Sequence, residues 1–202
     1  MKQKERYEAA KQMYAAAGVD ISIPKIGENI AIYHTSCEEV LQKGAGHIMG
    51  SSLPVGGAST HAALAAHRGL PGASLFTDLD QLTEGDQFYL YIMDDILAYE
   101  VDQILTVKPE DTEALAVEEG KDYVTLITCT PYGVNSHRLL VRGHRVAYEE
   151  EKVIRQEKEA VHSVHTEYGK WIAAGLFGAT ACMAACAGIV KVVGIWKRRN
   201  KK

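Results

Sequence analysis

Between residues 21 and 146 the chain is a succession of short apolar runs separated by turn-forming residues. The runs cover 21–26, 29–33, 62–66, 87–93, 96–105, 123–128 and 138–146. Their lengths and their β-branched or aromatic content predict strands. Asp94-Asp95, between the fourth and fifth runs, suits a tight hairpin turn. Short helices are expected over 37–43 and 74–82, and a helical turn over 111–115. Many strands with few short helices predict a mainly β chain that closes, or nearly closes, into a barrel.

The 202 residues leave room for one domain of about 150 residues and an appendage. A net charge of -4 gives no footprint for a nucleic-acid partner. Residues 171–190 carry no charged side chain and approach a membrane-spanning length, with the Gly and Ala content of packed membrane helices. Trp171 and Trp196 bracket this segment, and residues 197–202 are strongly basic. The positive-inside rule makes that tail cytoplasmic and puts everything before about residue 170 on the outer side of a cell membrane. The expected organisation is an N-terminal helical segment (1–20), a barrel domain (21–148), a charged stalk (149–170), a transmembrane helix (171–196) and a basic tail (197–202). Residues 5–17 have helix-forming composition, and Gly18 ends that helix. Met1 to Arg6 are charged with no apolar core behind them, so an export leader is expected to have been lost by truncation or processing.

Cys129 ends the run Tyr123-Val124-Thr125-Leu126-Ile127-Thr128-Cys129, and Arg138 follows nine residues later. By strand alternation Tyr123, Thr125, Ile127 and Cys129 share one face, with Val124, Leu126 and Thr128 on the other. The segment 130–137 reads as a loop from its Pro, Gly and Asn, so a strand–loop–strand unit can set Cys129 beside Arg138. Thiol, guanidinium and imidazole together are the parts of a cysteine acyl-transfer site. For the imidazole, His61 and His67 lie on one strand face, and spacing does not separate them; Arg68 and Arg142 are rivals to Arg138. The other cysteines are Cys37, Cys182 and Cys186; the last two read as small packing residues of the membrane segment. Cys37 and Cys129 can be paired on paper, but no disulfide framework accompanies them. His34, Cys37 and His47 make a poor zinc set, with three ligands and no CxxC, and no acidic loop has metal spacing. No cofactor or metal is required. A papain-like arrangement is disfavoured because Cys129 comes late and ends a strand.

The stretches TLITCTPYGVNSHRLLVRGHRV and GAGHIMGSSLPVGGASTHAALAAHRGLPGASLFTDLDQLTEGD resemble the sortases, and specifically the pilus-building class C group. The likeness runs from Ile21 to Val146 and extends to the style of the C-terminal anchor. It implies a closed eight-stranded sortase-type barrel and a cysteine transpeptidase. It further implies His67, set in Ala-His-Arg-Gly, as the imidazole, Cys129 as nucleophile and Arg138 as the guanidinium, with Thr128 and Arg68 contacting substrate. The implied substrate is an LPxTG-type sorting signal of a pilin or surface protein, with an amine as acceptor. Housekeeping attachment to cell-wall peptide amines, or a non-catalytic membrane-tethered assembly module, are the rival readings. Class C sortases carry an Asp-Pro-aromatic lid ahead of the barrel; no such motif precedes Ile21, so an open cleft is expected.

Overall fold

The computed structural model describes residues 19–92, 95–156 and 158. Eight strands close into a barrel: β1 (Val19–Ile23), β2 (Glu28–Tyr33), β3 (Ala45–His47), β4 (Thr60–Ala65), β5 (Gln87–Ile92), β6 (Asp95–Val107), β7 (Asp122–Thr130) and β8 (His137–Val146). Around the barrel they run β1-β2-β3-β4-β7-β8-β6-β5, and β5 closes on β1. The pairs β2–β3 and β4–β7 are parallel and the rest antiparallel. Ile92 stands opposite Asp95, which makes β5–β6 the expected hairpin.

Alternation decides what each strand gives to the core. Val124 and Leu126 of β7, Ala62 and Leu64 of β4, and Leu139 and Val141 of β8 point into the barrel, where they join Phe88, Leu90 and Tyr99. On the outer face, Ala63, Ile127 and Leu140 form a second apolar cluster, covered by Ala114 and Leu115 of the segment between β6 and β7. That is why β7 is apolar on both faces rather than alternating. Gly143 belongs to the inner face: a Cβ there would stand 2.7 Å from Phe88 Cε1. The missing side chain is the space into which the Phe88–Tyr99 ring stack fits.

Several boundaries differ from expectation. The first strand stops at Ile23, because Pro24 has no N–H for the ladder and opens a 3-10 turn (Pro24–Ile26). The helix expected over 74–82 reduces to a 3-10 turn at Leu79–Gln81. Leu75 takes a left-handed φ of 46°, which no continuing helix tolerates. Helix α1 (Glu38–Leu41), with Cys37 as its N-cap residue, is shorter than 37–43, and the 111–115 turn is a 3-10 turn at Glu113–Leu115. Residues 150–156, assigned by sequence to the stalk, are helical, and Val153 packs on Tyr89 and Ala98 of the barrel wall. The chain divides into two units, 1–160 and 161–202. The N-terminal helix, most of the stalk, the membrane helix and the basic tail lie outside the described residues, as does most of the segment that would carry a lid. Among the described residues no helix is long and apolar enough to cross a membrane.

Candidate active site

Strand register sets Cys129 beside Arg138 at the barrel rim, and His67 follows β4 at the same end. Cys129 is the penultimate residue of β7 and pairs directly with Arg138 of β8. In the parallel β4–β7 pair, Ala65 stands beside Ile127, and Ala66 N–H donates to Ile127 O at 3.1 Å. His67 follows two residues beyond Ala65, past the end of β4, and Cys129 lies two residues beyond Ile127 at the same end of the pair. Directly cross-strand neighbours stand about 5 Å apart at Cβ. Cys129 is partly exposed and free. Arg138 Nη1 donates to Asn135 O at 3.2 Å and to His137 O at 3.0 Å, so the guanidinium lies along the start of its own strand.

The row beneath is apolar. Ile127, Leu140, Ala63 and Ala65, with Ile48, Val107, Ala114 and Leu115, form a patch that starts one register step below the thiol.

Thr128 and Arg68, which the resemblance implies contact substrate, are both engaged within the chain. Thr128 is buried on the inner face, and its Oγ1 donates to Ala66 O at 3.0 Å. It ties the end of β7 to the segment that delivers His67. The Arg68 guanidinium pairs with Asp80 and lies over the Tyr132 ring, its carbon 5.7 Å from the centroid. Gly69, at φ 73°, runs so close under Tyr132 that a Cβ would stand 2.8 Å from the ring. Both contacts brace the 131–136 loop against the segment after His67. The backbone carbonyl of His67 is itself held by Phe76 N–H at 3.1 Å.

The rivals are occupied elsewhere. His61 is buried; its Nδ1–H donates to Ala116 O at 2.9 Å, and Thr125 Oγ1 donates to its Nε2 at 2.7 Å. Arg142 makes a fork to Asp102 at 2.9 and 3.1 Å, lies 4.2 Å over the Tyr123 ring and approaches Glu118 at 3.5 Å. Together these two residues pin the β6–β7 segment over the outer face. Among the described residues no group of three or more His, Cys, Asp or Glu gathers at metal-binding distance.

Burial holds the His61 and His47 imidazoles below the ordinary histidine value of 6.5. The unfolded chain therefore takes up protons that the folded chain refuses once the pH drops through about 6.5. Stability is full above that value and declines on acidification towards the folded-state values. The urea midpoint is expected to be lower at about pH 5.5 than at about pH 7.5; an unchanged or higher midpoint in acid would contradict this burial.

Sequence reasoning missed Glu38, whose Oε1 lies 3.2 Å from His67 Nε2. The contact spans 29 residues of chain, and nothing local to either residue signals it.

The closed eight-stranded barrel with few short helices has the sortase fold. The Sortase domain family model matches residues 21–146, and the chain belongs to the sortase family. Sortase A of Bacillus anthracis is 33% identical over 132 residues, covering 65% of this chain and 61% of its own length. The chain thus spans somewhat under two thirds of that curated relative. Among solved structures, sortase C1 of Streptococcus agalactiae matches with a TM-score of 0.64 at 57% identity, covering 66% of this chain and 68% of that one. Sortase C-1 of Actinomyces oris matches at 0.68 and 48% identity, covering 72% and 83%. These neighbours group the chain with the class C sortases.

Proposed function

We propose that this chain is a membrane-anchored cysteine transpeptidase that polymerises pilins. It would cleave an LPxTG-type sorting signal between Thr and Gly and pass the acyl group to a lysine amine of another pilin. The observation that carries this reading is the direct pairing of Cys129 with Arg138, with His67 following the neighbouring strand at the same end of the barrel. Residues 171–196 would supply the anchor, with the barrel on the extracellular side.

The chemistry follows from the side chains. The Cys129 thiolate attacks the Thr carbonyl carbon, and an S–C bond forms. The C–N bond to Gly breaks as His67 gives the proton it took from the Cys129 thiol to the leaving amine. A thioester and a neutral imidazole remain. The neutral lysine amine then attacks the thioester, His67 takes the surplus proton, and the thiolate leaves. Arg138 stays protonated throughout and cannot act as a base; its donors suit the oxygen that becomes negative in both tetrahedral intermediates.

The test is an intact-mass and product analysis of the full-length chain in detergent. It is incubated with an LPxTG-type peptide and two competing amines, a pilin-derived lysine peptide and a cell-wall peptide. The expected result is a protein adduct of the N-terminal peptide fragment and an isopeptide product on the pilin lysine. Preferential transfer to the cell-wall amine would replace the pilin reading with a housekeeping one. Absence of an adduct with every sorting-signal variant would leave a non-catalytic assembly module.

A further inference from the structure

The charged group that touches His67 comes from α1, on the far side of β3 and β4 in sequence. Glu38 Oε1 lies 3.2 Å from His67 Nε2 and also accepts from Gln42 Nε2 at 3.2 Å, one helical turn on. Although Glu38 is largely exposed, its backbone is not free. Leu41 N–H and Gln42 N–H close the turn on Cys37 O and Glu38 O at 3.0 and 3.1 Å, and the Leu41 side chain packs over Gly46 of β3. The carboxylate is therefore delivered to the imidazole by the barrel rim.

A carboxylate only accepts hydrogen bonds, so the ring nitrogen that faces it carries the hydrogen. With Nε2–H committed to Glu38, Nδ1 is the nitrogen left with a lone pair, and the ring plane is fixed by the same bond. A histidine that passes protons needs one nitrogen reserved in this way, and the bond made by the other nitrogen is what reserves it. We propose that Glu38 is the positioning residue of His67. It holds the Nε2–H tautomer and keeps Nδ1 for the proton given to the leaving amine and taken from the incoming one. Gln42, by donating to the same oxygen, keeps the carboxylate turned towards the ring. The inference rests on the reading of His67 as the acid–base group.

The experiment compares the full-length parent with Glu38→Ala and Glu38→Gln in detergent. In the parent, ring 15N shifts of His67, assigned by difference from His67→Gln, are expected to show a single Nε2–H tautomer. In Glu38→Ala both nitrogens should move towards the fast-exchange average of the two tautomers. Its kcat for transfer should fall about tenfold with KM for the sorting peptide little changed, a smaller loss than tautomer disruption causes in a buried triad. Glu38→Gln keeps an accepting oxygen and should restore the parent 15N pattern and most of kcat. Unchanged 15N shifts in Glu38→Ala would overturn the proposal. So would an unchanged kcat, or a loss appearing in KM and melting temperature instead. A parent that forms no thioester would sink the transpeptidase reading, whereas the 15N comparison would still decide whether Glu38 sets the tautomer.

Discussion

Cys129→Ala is expected to abolish both the acyl adduct and transfer, a loss on the order of 10⁶-fold in turnover if the reaction behaves like other nucleophile knock-outs. The size follows from the lack of a substitute. Among the described residues the other free thiol is Cys37, which lies at the N-cap of α1 beside Thr35, outside the β4–β7–β8 register that defines the rim. Hydroxyl groups at the rim do not ionise near neutral pH, whereas a thiol does so readily. Intact mass after incubation with the sorting peptide reads the adduct, and a transfer assay reads turnover. An adduct persisting on Cys129→Ala would relocate the nucleophile. The substitution should leave the melting temperature close to that of the parent, because Cys129 is partly exposed at a strand end and belongs to neither the inner nor the outer apolar cluster.

Arg138→Ala is expected to lower kcat/KM by about 10²- to 10³-fold, the range seen when one preorganised oxyanion donor is removed. Arg138 is paired opposite Cys129 in the β7–β8 register, and one of its guanidinium nitrogens is held by the carbonyls of Asn135 and His137. The remaining donors are free to meet a developing oxyanion. Arg138→Lys should recover little, since a point ammonium held by those carbonyls keeps no planar fork towards the substrate. Cys129 should still react with a small thiol reagent in both variants, which separates the loss of Arg138 from a damaged nucleophile. A variant with near-parental kcat/KM would remove Arg138 from the oxyanion role.

Much of the barrel was legible because its strands obey short-range rules. β7 could be read from the alternation of Tyr123, Thr125, Ile127 and Cys129, and β5–β6 from the Asp94-Asp95 turn. β3 could not. It has three residues, none β-branched, and Gly46 is there because a Cβ would stand 2.5 Å from Thr35 O. That is a demand of close chain packing and leaves no periodic trace. The choice of His67 over His61 came from resemblance alone, since both lie on one strand face. What separates them is the parallel register of β4 on β7, together with the burial of His61 under Ala116. Long-range pairing of this kind cannot be computed from local spacing. For the same reason the pairing of Arg68 with Asp80 and Tyr132, and the contact of Glu38 with His67, leave no local trace in the sequence.

The division of each strand into two faces has a consequence for how such a protein can change. β4, β7 and β8 spend their inner side chains on folding and their outer ones on the reaction centre, so the two tasks are written in alternate letters of the same words. In the proposed function, variation at the outward rim positions beyond the outer apolar cluster would retune which peptide is accepted without eroding the core, provided that no residue is inserted or deleted within a strand. A shift of one position would exchange the two alphabets and turn the thiol into the barrel. Substitution is thus a permissive route for this architecture, length change within the strands a forbidden one, and the loops beyond them the place where insertions can accumulate.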